Sequence, residues 1–351
     1  MAPAKRFAHS KFFPAMLDVA ILYNETTLPA DHPDYASEAG VLEAVEAVEA
    51  ALAKTGHRSR RLPVGASPAS LAAAFEAERA DVVVNLCEGL QGTGAGESQV
   101  AGLLELCGAA HTGAGSECLS LVRDKARTKW LLLGAGLPTA AFLRLSPGEA
   151  LPASASALLD QGPLIVKPAC EDASLGIGPA SVVSDLASLE RQVEEVGRRY
   201  GDALVEQFIA GREFNVGLIA LPEPQALPLA EIDFRHRAGG WNLVTYDAKW
   251  TPDSADYGGT PVTCPADASP ELAAELVCVS LAAFRLTGCR DYSRVDFRVD
   301  ERGRAFVLEV NANPDISPSA GLARAIGVSG LAYDEFIRRL VETAFRRGGR
   351  L

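Results

Sequence analysis

Positive charge is in short supply in this chain of 351 residues: 33 Lys and Arg stand against 45 Asp and Glu, a formal net charge of -12. That balance argues against a general nucleic-acid or membrane-surface binder, although a local basic pocket for phosphate stays allowed. Cysteine is sparse and dispersed: seven residues, with no C-x-x-C pair and no histidine at zinc-finger spacing. Neither a disulfide framework nor a structural zinc site is indicated, and reduced thiols in a cytoplasmic protein are expected. Long apolar runs are missing too. No stretch approaches ~18 apolar residues, and Pro14 and Asp18 interrupt the basic N-terminal stretch before a signal-peptide core could form. The sequence holds no G-x-S-x-G, H-E-x-x-H, Walker A loop or paired Cys–His motif, and its two Met and three Trp suggest no cofactor box.

Nearly half of the residues are apolar, enough to bury a sizeable core in two or three domains. The first ~115 residues alternate strands (18–24, 81–87, 109–112) with helices (about 38–54, 68–79, 97–107), which indicates a parallel α/β layer. From Asp124 the pattern changes: a helix to Gly134, a strand at 140–145, a small-residue linker LPASASALLDQGP, the buried strand LIVKP, and a helix at 185–199. The strands ALVEQFI and EFNVGLIAL follow, then a polar and aromatic stretch (237–265), a helix at 270–287, a hairpin, and an amphipathic helix at 333–345. The fold expected is an α/β N-terminal domain (1–120) followed by α+β central (121–205) and C-terminal (206–351) domains. No internal repeat is present.

The hairpin RVDFRVDERGRAFVLEVNANP carries the clearest chemistry. With Arg302–Gly303 as a two-residue turn, Phe297 faces Leu308, Val295 faces Val310 and Val299 faces Phe306, so one side is wholly apolar. On the other side Asp296 lies opposite Glu309 and Arg294 opposite Asn311. Opposed carboxylates repel, and a divalent cation between them reverses that sign; two carboxylates and an amide suit Mg²⁺ with phosphate oxygens filling its remaining positions. A half-exposed hairpin with a merely solvated polar face fits the same alternation.

Other stretches are individually weaker. Lys167 ends the LIVKP strand before a loop holding Ser174, Gly176 and Gly178, whose backbone N–H groups could cradle phosphate. Glu206 and Glu213 sit on successive strands, one able to accept from an exocyclic amine and the other from ribose hydroxyls, with the intervening backbone reading a base edge. The stretch LCEGLQGTGAGES spells G-x-G-x-G rather than a dinucleotide fingerprint, though its helix could present an N-terminus to a carboxylate.

Taken in order, GLLELCGAAHTGAGS, RDKARTKWLLLGAGLPTA, LIVKPACEDASLGIG, VEQFIAGREFNV, TYDAKW, GCRDYSRVDF and LEVNANPDISPSAG resemble the ATP-grasp superfamily, and within it the D-alanine–D-alanine ligase group of carboxylate–amine ligases, from about Asp81 onward. The resemblance implies ATP and two Mg²⁺ ions (Mn²⁺ as a substitute) held between the central and C-terminal domains. Lys125, Lys167 and the backbone at Ser174 would meet phosphates. Glu206, the backbone of Gln207, Phe208 and Ile209, and Glu213 would hold adenine and ribose. Asp296, Glu309 and Asn311 would bind the metals. Arg294 would stabilise charge developing on the reacting carbonyl, Lys249 would assist, and 237–265 would act as a lid.

Departures from the D-alanine ligase pattern gather at the acceptor side. Glu88 stands where the pattern has His, Ala173 where it has the first Ser of a pair, Trp250 where it has a lid Tyr, and Asp315 where it has Gly. Asp31, Asp34 and Glu38 are candidates for an acidic substrate anchor, and Ser317 and Ser319 follow the metal ligands into the acceptor site. The expected function is therefore ligation of two amino-acid-like small molecules through an acyl phosphate. D-alanine–D-alanine ligation itself and a non-catalytic ATP-binding regulator are the alternatives. A homodimer is suggested by the resemblance alone, and neither nucleic-acid nor membrane partners are expected.

Overall fold

The computed structural model describes residues 16–25, 40–65, 69, 71–74, 79–90, 94–172, 174–234, 240–245 and 259–348. The first layer is a parallel sheet of β1 (Asp18–Asn24), β2 (Arg58–Val64) and β3 (Val82–Leu86) in the order β2-β1-β3, with α1 (Val41–Lys54) crossing between β1 and β2. β2, an Arg-rich segment, was not expected as a strand, because its RSRRLPV pattern shows no apolar alternation. The strand expected at 109–112 is reduced to a parallel bridge between Val83 and His111. Helices α2 (Ala95–Leu106), α3 (Ser116–Arg123) and α4 (Lys125–Gly134) follow. Asp124 caps α4 by accepting from the Arg127 N–H at 3.0 Å.

The second layer contains β4 (Phe142–Leu145), α5 (Ala153–Leu159), β5 (Leu164–Pro168), β6 (Val182–Val183), α6 (Leu186–Tyr200) and β7 (Ala203–Gln207). Its strands form an antiparallel sheet in the order β4-β7-β5-β6. The stretch expected to be a linker contains α5: Ala and Leu favour helix, and Ala155 and Leu158 bury against β5 and α6. Asp185 caps α6 through the Ser188 N–H at 2.8 Å.

At 208–211 the chain leaves this sheet and enters the third as β8 (Arg212–Ala220), followed by β9 (Pro224–Ala226), β10 (Ala230–Ile232), β11 (Val262–Thr263), α7 (Pro270–Thr287), β12 (Tyr292–Val299) and β13 (Ala305–Asn311). The sheet runs β11-β10-β8-β12-β13, with β9 also paired to β8. Ser269 caps α7, Pro270 takes its first position and Gly288 closes it in the left-handed conformation. One face of this sheet is apolar: Phe214, Val216, Val295, Phe297, Val307 and Val310 are buried against α3, α4 and α7.

Helices α8 (Gly321–Val328) and α9 (Tyr333–Gly348) return to the first layer. Phe336, Ile337, Leu340 and Val341 of α9 bury against α1 and β3, each large apolar side chain worth about 1.5–3 kcal/mol. The α/β layer is thus completed by residues more than 200 positions away in sequence. No helix among the described residues is long and apolar enough to cross a membrane.

Candidate active site

The face of the third sheet opposite its apolar side carries three ranks of polar groups. Arg294 lies across from Gly217 on β8 and Asn311 on β13; Asp296 across from Asn215 and Glu309; Arg298 across from Glu213. The opposition of Asp296 and Glu309 agrees with the hairpin as read from sequence, but the path to it differs. The turn is a three-residue loop, Glu301 to Gly303, closed by the Asp300 N–H on the Arg304 carbonyl at 3.0 Å, with Gly303 at φ 78°. Near the turn Phe297 therefore pairs with Val307 and Val299 with Ala305, not with Leu308 and Phe306. A bulge at Leu308 takes up the extra residue and restores the expected pairing from Asp296 onward.

Within these ranks Arg294 donates to both oxygens of Asp296, at 2.7 and 2.8 Å, and lies 3.8 Å from Glu309. Asn215 donates to Asp296 at 2.7 Å, and the Asn311 side-chain oxygen accepts the Asn313 N–H at 2.9 Å. Burial opposes the Arg294 charge, yet Asp296 and Glu309 outweigh it and raise its pKa. Burial, with Glu309 and Glu213 nearby, pushes the Asp296 carboxyl upward in spite of Arg294. Among the described residues no three His, Cys, Asp or Glu side chains form a ready-made metal cluster. The donor set still fits a hard divalent cation completed by phosphate oxygens: two opposed carboxylates and an amide, whose mutual repulsion one guanidinium now relieves.

Facing this sheet, the second layer brings two lysines onto one carboxylate. Lys129 of α4 reaches Glu206 at 2.6 Å and Lys167 of β5 reaches its other oxygen at 2.5 Å. All three are almost fully buried, Lys129 and Glu206 at 1% exposure and Lys167 at 7%. Burial would raise the Glu206 carboxyl, but the two ammoniums overcome it and bring its pKa down to about 2. Burial, reinforced by Lys167, lowers that of Lys129 although Glu206 opposes it. One carboxylate balances only one of the two cations, so the trio holds a surplus positive charge out of water. Lys129 also donates to Thr139 at 2.5 Å, whose hydroxyl bonds the Val307 carbonyl at 2.8 Å and ties the trio to β13.

Lys125, the lysine picked out in the sequence, lies one helical turn before Lys129. Its ammonium bonds the Glu171 carbonyl and Asp172, both at 2.6 Å, and stands 4.0 Å from Glu309, so it pins the 171–172 loop beside the carboxylate rank. Burial opposes its charge, and Asp172 and Glu309 hold its pKa up. Ser174 follows in that loop with φ 63°, its carbonyl accepting the Ile177 N–H at 3.0 Å. In the 207–209 stretch whose backbone was expected to hold adenine and ribose, the Gln207 and Phe208 N–H groups bond the Ala141 and Pro163 carbonyls at 2.9 Å each. Ile209 lies in the crossing between the two sheets. Glu213 is ion-paired to Arg298 at 2.7 Å.

A second acidic group lines the side toward the first layer. Glu97 accepts from Asn313 at 2.7 Å, and Tyr292 donates to Asn313 at 3.0 Å. Asp315 accepts from the Ser317 N–H and hydroxyl at 2.7 and 2.8 Å, and Ser319 donates to Glu43 at 3.0 Å. The Glu88 N–H is held by Asn24 at 2.7 Å. Its side chain is reached by solvent yet ringed by protein, as in a cleft; this enclosure, with Asp315 and Asp172, pushes its pKa up to about 7. Burial likewise takes Glu97 up to about 8 against its bond from Asn313. Asp31, Asp34, Glu38, Ala173, Lys249 and Trp250 lie outside the described residues, as does much of 237–265.

Lys129, Asn215, Glu97, Asn313 and Arg298 escaped the sequence reading. Signals existed for two of them: Lys129 repeats Lys125 at i+4, and Arg298 extends the Arg294, Asp296 alternation by one more step.

Residues 131–342 match the family profile described as D-ala D-ala ligase C-terminus. A D-alanine–D-alanine ligase of Citrifermentans bemidjiense is 32% identical over 306 residues, covering 86% of this chain and 90% of that protein. An uncharacterised protein of Sinorhizobium fredii is 35% identical over 273 residues, 77% of this chain and 76% of that one. Among solved structures, the D-alanine–D-alanine ligase of Bacillus anthracis complexed with ATP superposes with a TM-score of 0.74 at 20% identity, over 95% of this chain and 99% of that one.

Proposed function

The chain belongs to the D-alanine–D-alanine ligase family, with the ATP-grasp fold, and from that premise we propose that it is an ATP-dependent carboxylate–amine ligase joining two amino-acid-like molecules. The observation that carries this reading is the convergence of Lys129 and Lys167 on Glu206. A buried surplus of positive charge is costly unless an anion completes it, and a nucleotide phosphate supplies that anion. ATP would lie between the second and third sheets, its phosphates on Lys129, Lys167 and the loop at Ser174, its ribose toward Glu213.

Asp296, Glu309 and Asn311 would hold Mg²⁺, which when bound neutralises phosphate charge. One substrate carboxylate attacks the γ-phosphate, releasing ADP; the amine of the second attacks the resulting acyl phosphate, releasing phosphate and forming the amide. Arg294, in the first of the three ranks on this face, would meet charge developing on the carbonyl oxygen. Lys125 keeps the 171–172 loop against Glu309. The carboxylates of Glu88, Glu97 and Asp315 suit the ammonium groups of amino-acid substrates, and Ser317 and Ser319 fix the Asp315 turn and its junction with α1. Lys249 would assist Arg294, Trp250 would belong to the lid and Asp34 would anchor a substrate.

The test is a pairwise screen of amino acids, D-alanine included, for ADP and phosphate release, with products weighed by mass spectrometry. Amine-dependent release and a condensed product are expected, and a D-alanyl dipeptide would identify the namesake activity. ATP binding with no release across the whole panel would sink the ligase reading. Full turnover in the Asp296→Asn, Glu309→Gln double variant would sink the metal assignment.

A further inference from the structure

Arg298 is a buried arginine, 4% exposed, that no step above uses. It stands two residues beyond Asp296 on the same face of β12. Its guanidinium bonds Glu213 at 2.7 Å, the Asn242 carbonyl at 2.5 Å and the Gly211 carbonyl at 3.5 Å. It also lies 5.7 Å from the centre of the Phe208 ring and 5.0 Å from that of Phe234. Phe208 meets Trp241 edge-on at 5.2 Å and packs with Ile165, Val182 and Leu243 in a small apolar cluster. One side chain therefore joins β8, the 208–211 crossing and segment 241–245 at the end of the cleft away from Arg294.

A charge this deeply buried is destabilising unless it is paired and its donors are used. Glu213 supplies the pair and two main-chain carbonyls take further donors, a planar division of labour that a lysine ammonium cannot reproduce. Of the structures it holds, Glu213 is the group that the nucleotide reading assigns to ribose, and Phe208 lies in the 207–209 stretch whose backbone the resemblance assigns to adenine. The lysines assigned to phosphate, Lys129 and Lys167, sit on other elements and pair with Glu206, which is not among the partners of Arg298.

We propose that Arg298 is a positioning residue for the base and ribose end of the nucleotide site, holding Glu213 and segment 241–245 around the Phe208 cluster independently of the phosphate-binding lysines. The inference rests on the nucleotide reading above. Calorimetry would compare ADP with inorganic tripolyphosphate, which lacks base and ribose, on the wild type, Arg298→Met and Arg298→Lys. Both variants should weaken ADP about tenfold or more, the order expected from losing charged hydrogen bonds, with tripolyphosphate affinity unchanged. Glu213→Gln, which keeps the local shape, provides the same contrast should Arg298→Met fail to fold, and should also weaken ADP selectively. Equal loss of both ligands would mark Arg298 as a general structural staple and overturn the proposal, as would unchanged ADP affinity. A wild type that binds neither ligand would instead remove the nucleotide reading, and this inference with it.

Discussion

Glu206 and its two lysines make opposite predictions for two single substitutions. Lys129→Met leaves a neutral Lys167–Glu206 pair and keeps Thr139 bonded to Val307, so the urea midpoint should move little or rise while ATP turnover falls. Glu206→Gln leaves two buried ammoniums with no counter-charge and should cost about 3–5 kcal/mol, measured by the same unfolding. If Lys129→Met proved as costly as Glu206→Gln, the surplus charge assigned to this trio would be wrong. The resemblance singled out Lys125 of α4 for phosphate, and the buried trio adds Lys129 as a second candidate on the same helix. Lys125 and Lys129 are one turn apart, so helix rotation and the depth of Glu206 decide the partner, and both are tertiary facts.

At the scale of elements the hairpin was legible for a partly fortunate reason. Period-two alternation identified the two faces, but the loop holds three residues rather than two, and the bulge at Leu308 compensates that difference before Asp296 is reached. Bulge positions leave no composition signal, whereas Gly303 at positive φ does mark the turn. The crossing at 208–211 depends on another glycine. Gly211 has φ 139°, and a Cβ there would stand 2.1 Å from the Val299 carbonyl oxygen, a backbone atom that cannot swing away. Gly211→Ala should therefore destabilise the fold by about 2–4 kcal/mol and loosen the Arg298 contact with the Gly211 carbonyl. An unchanged denaturation midpoint would show that the crossing relaxes freely.

Over the whole molecule, the junction between the first layer and the third sheet is built from a few long-range polar contacts that no local pattern announces. His111 accepts from Arg290 at 2.6 Å, so its other ring nitrogen, 3.1 Å from the Ala109 carbonyl, carries the proton. Arg347 of α9 bonds the His111 carbonyl at 2.6 Å and Asp291 at 2.6 and 2.8 Å, and Asp291 accepts the Gly113 N–H at 2.9 Å. Burial, then Arg290 and Arg347, bring the His111 pKa down to about 4, with the Ala109 carbonyl and Glu105 opposing. The ordinary value is 6.5, so between about pH 6.5 and 4 the unfolded chain binds a proton that the native one does not, and stability falls as pH drops through that window. By pH 5 the loss from this one group should reach about 2 kcal/mol. His111→Gln retains an acceptor for Arg290 without titrating, so urea midpoints at pH 7.5 and 5 should diverge between the two proteins, the wild type losing more. The carboxylates common to both cancel in that difference, which isolates the histidine. Equal losses would mean that His111 is protonated without opening the junction, and that the first layer is held to the third sheet by the packing of α9 rather than by this polar joint.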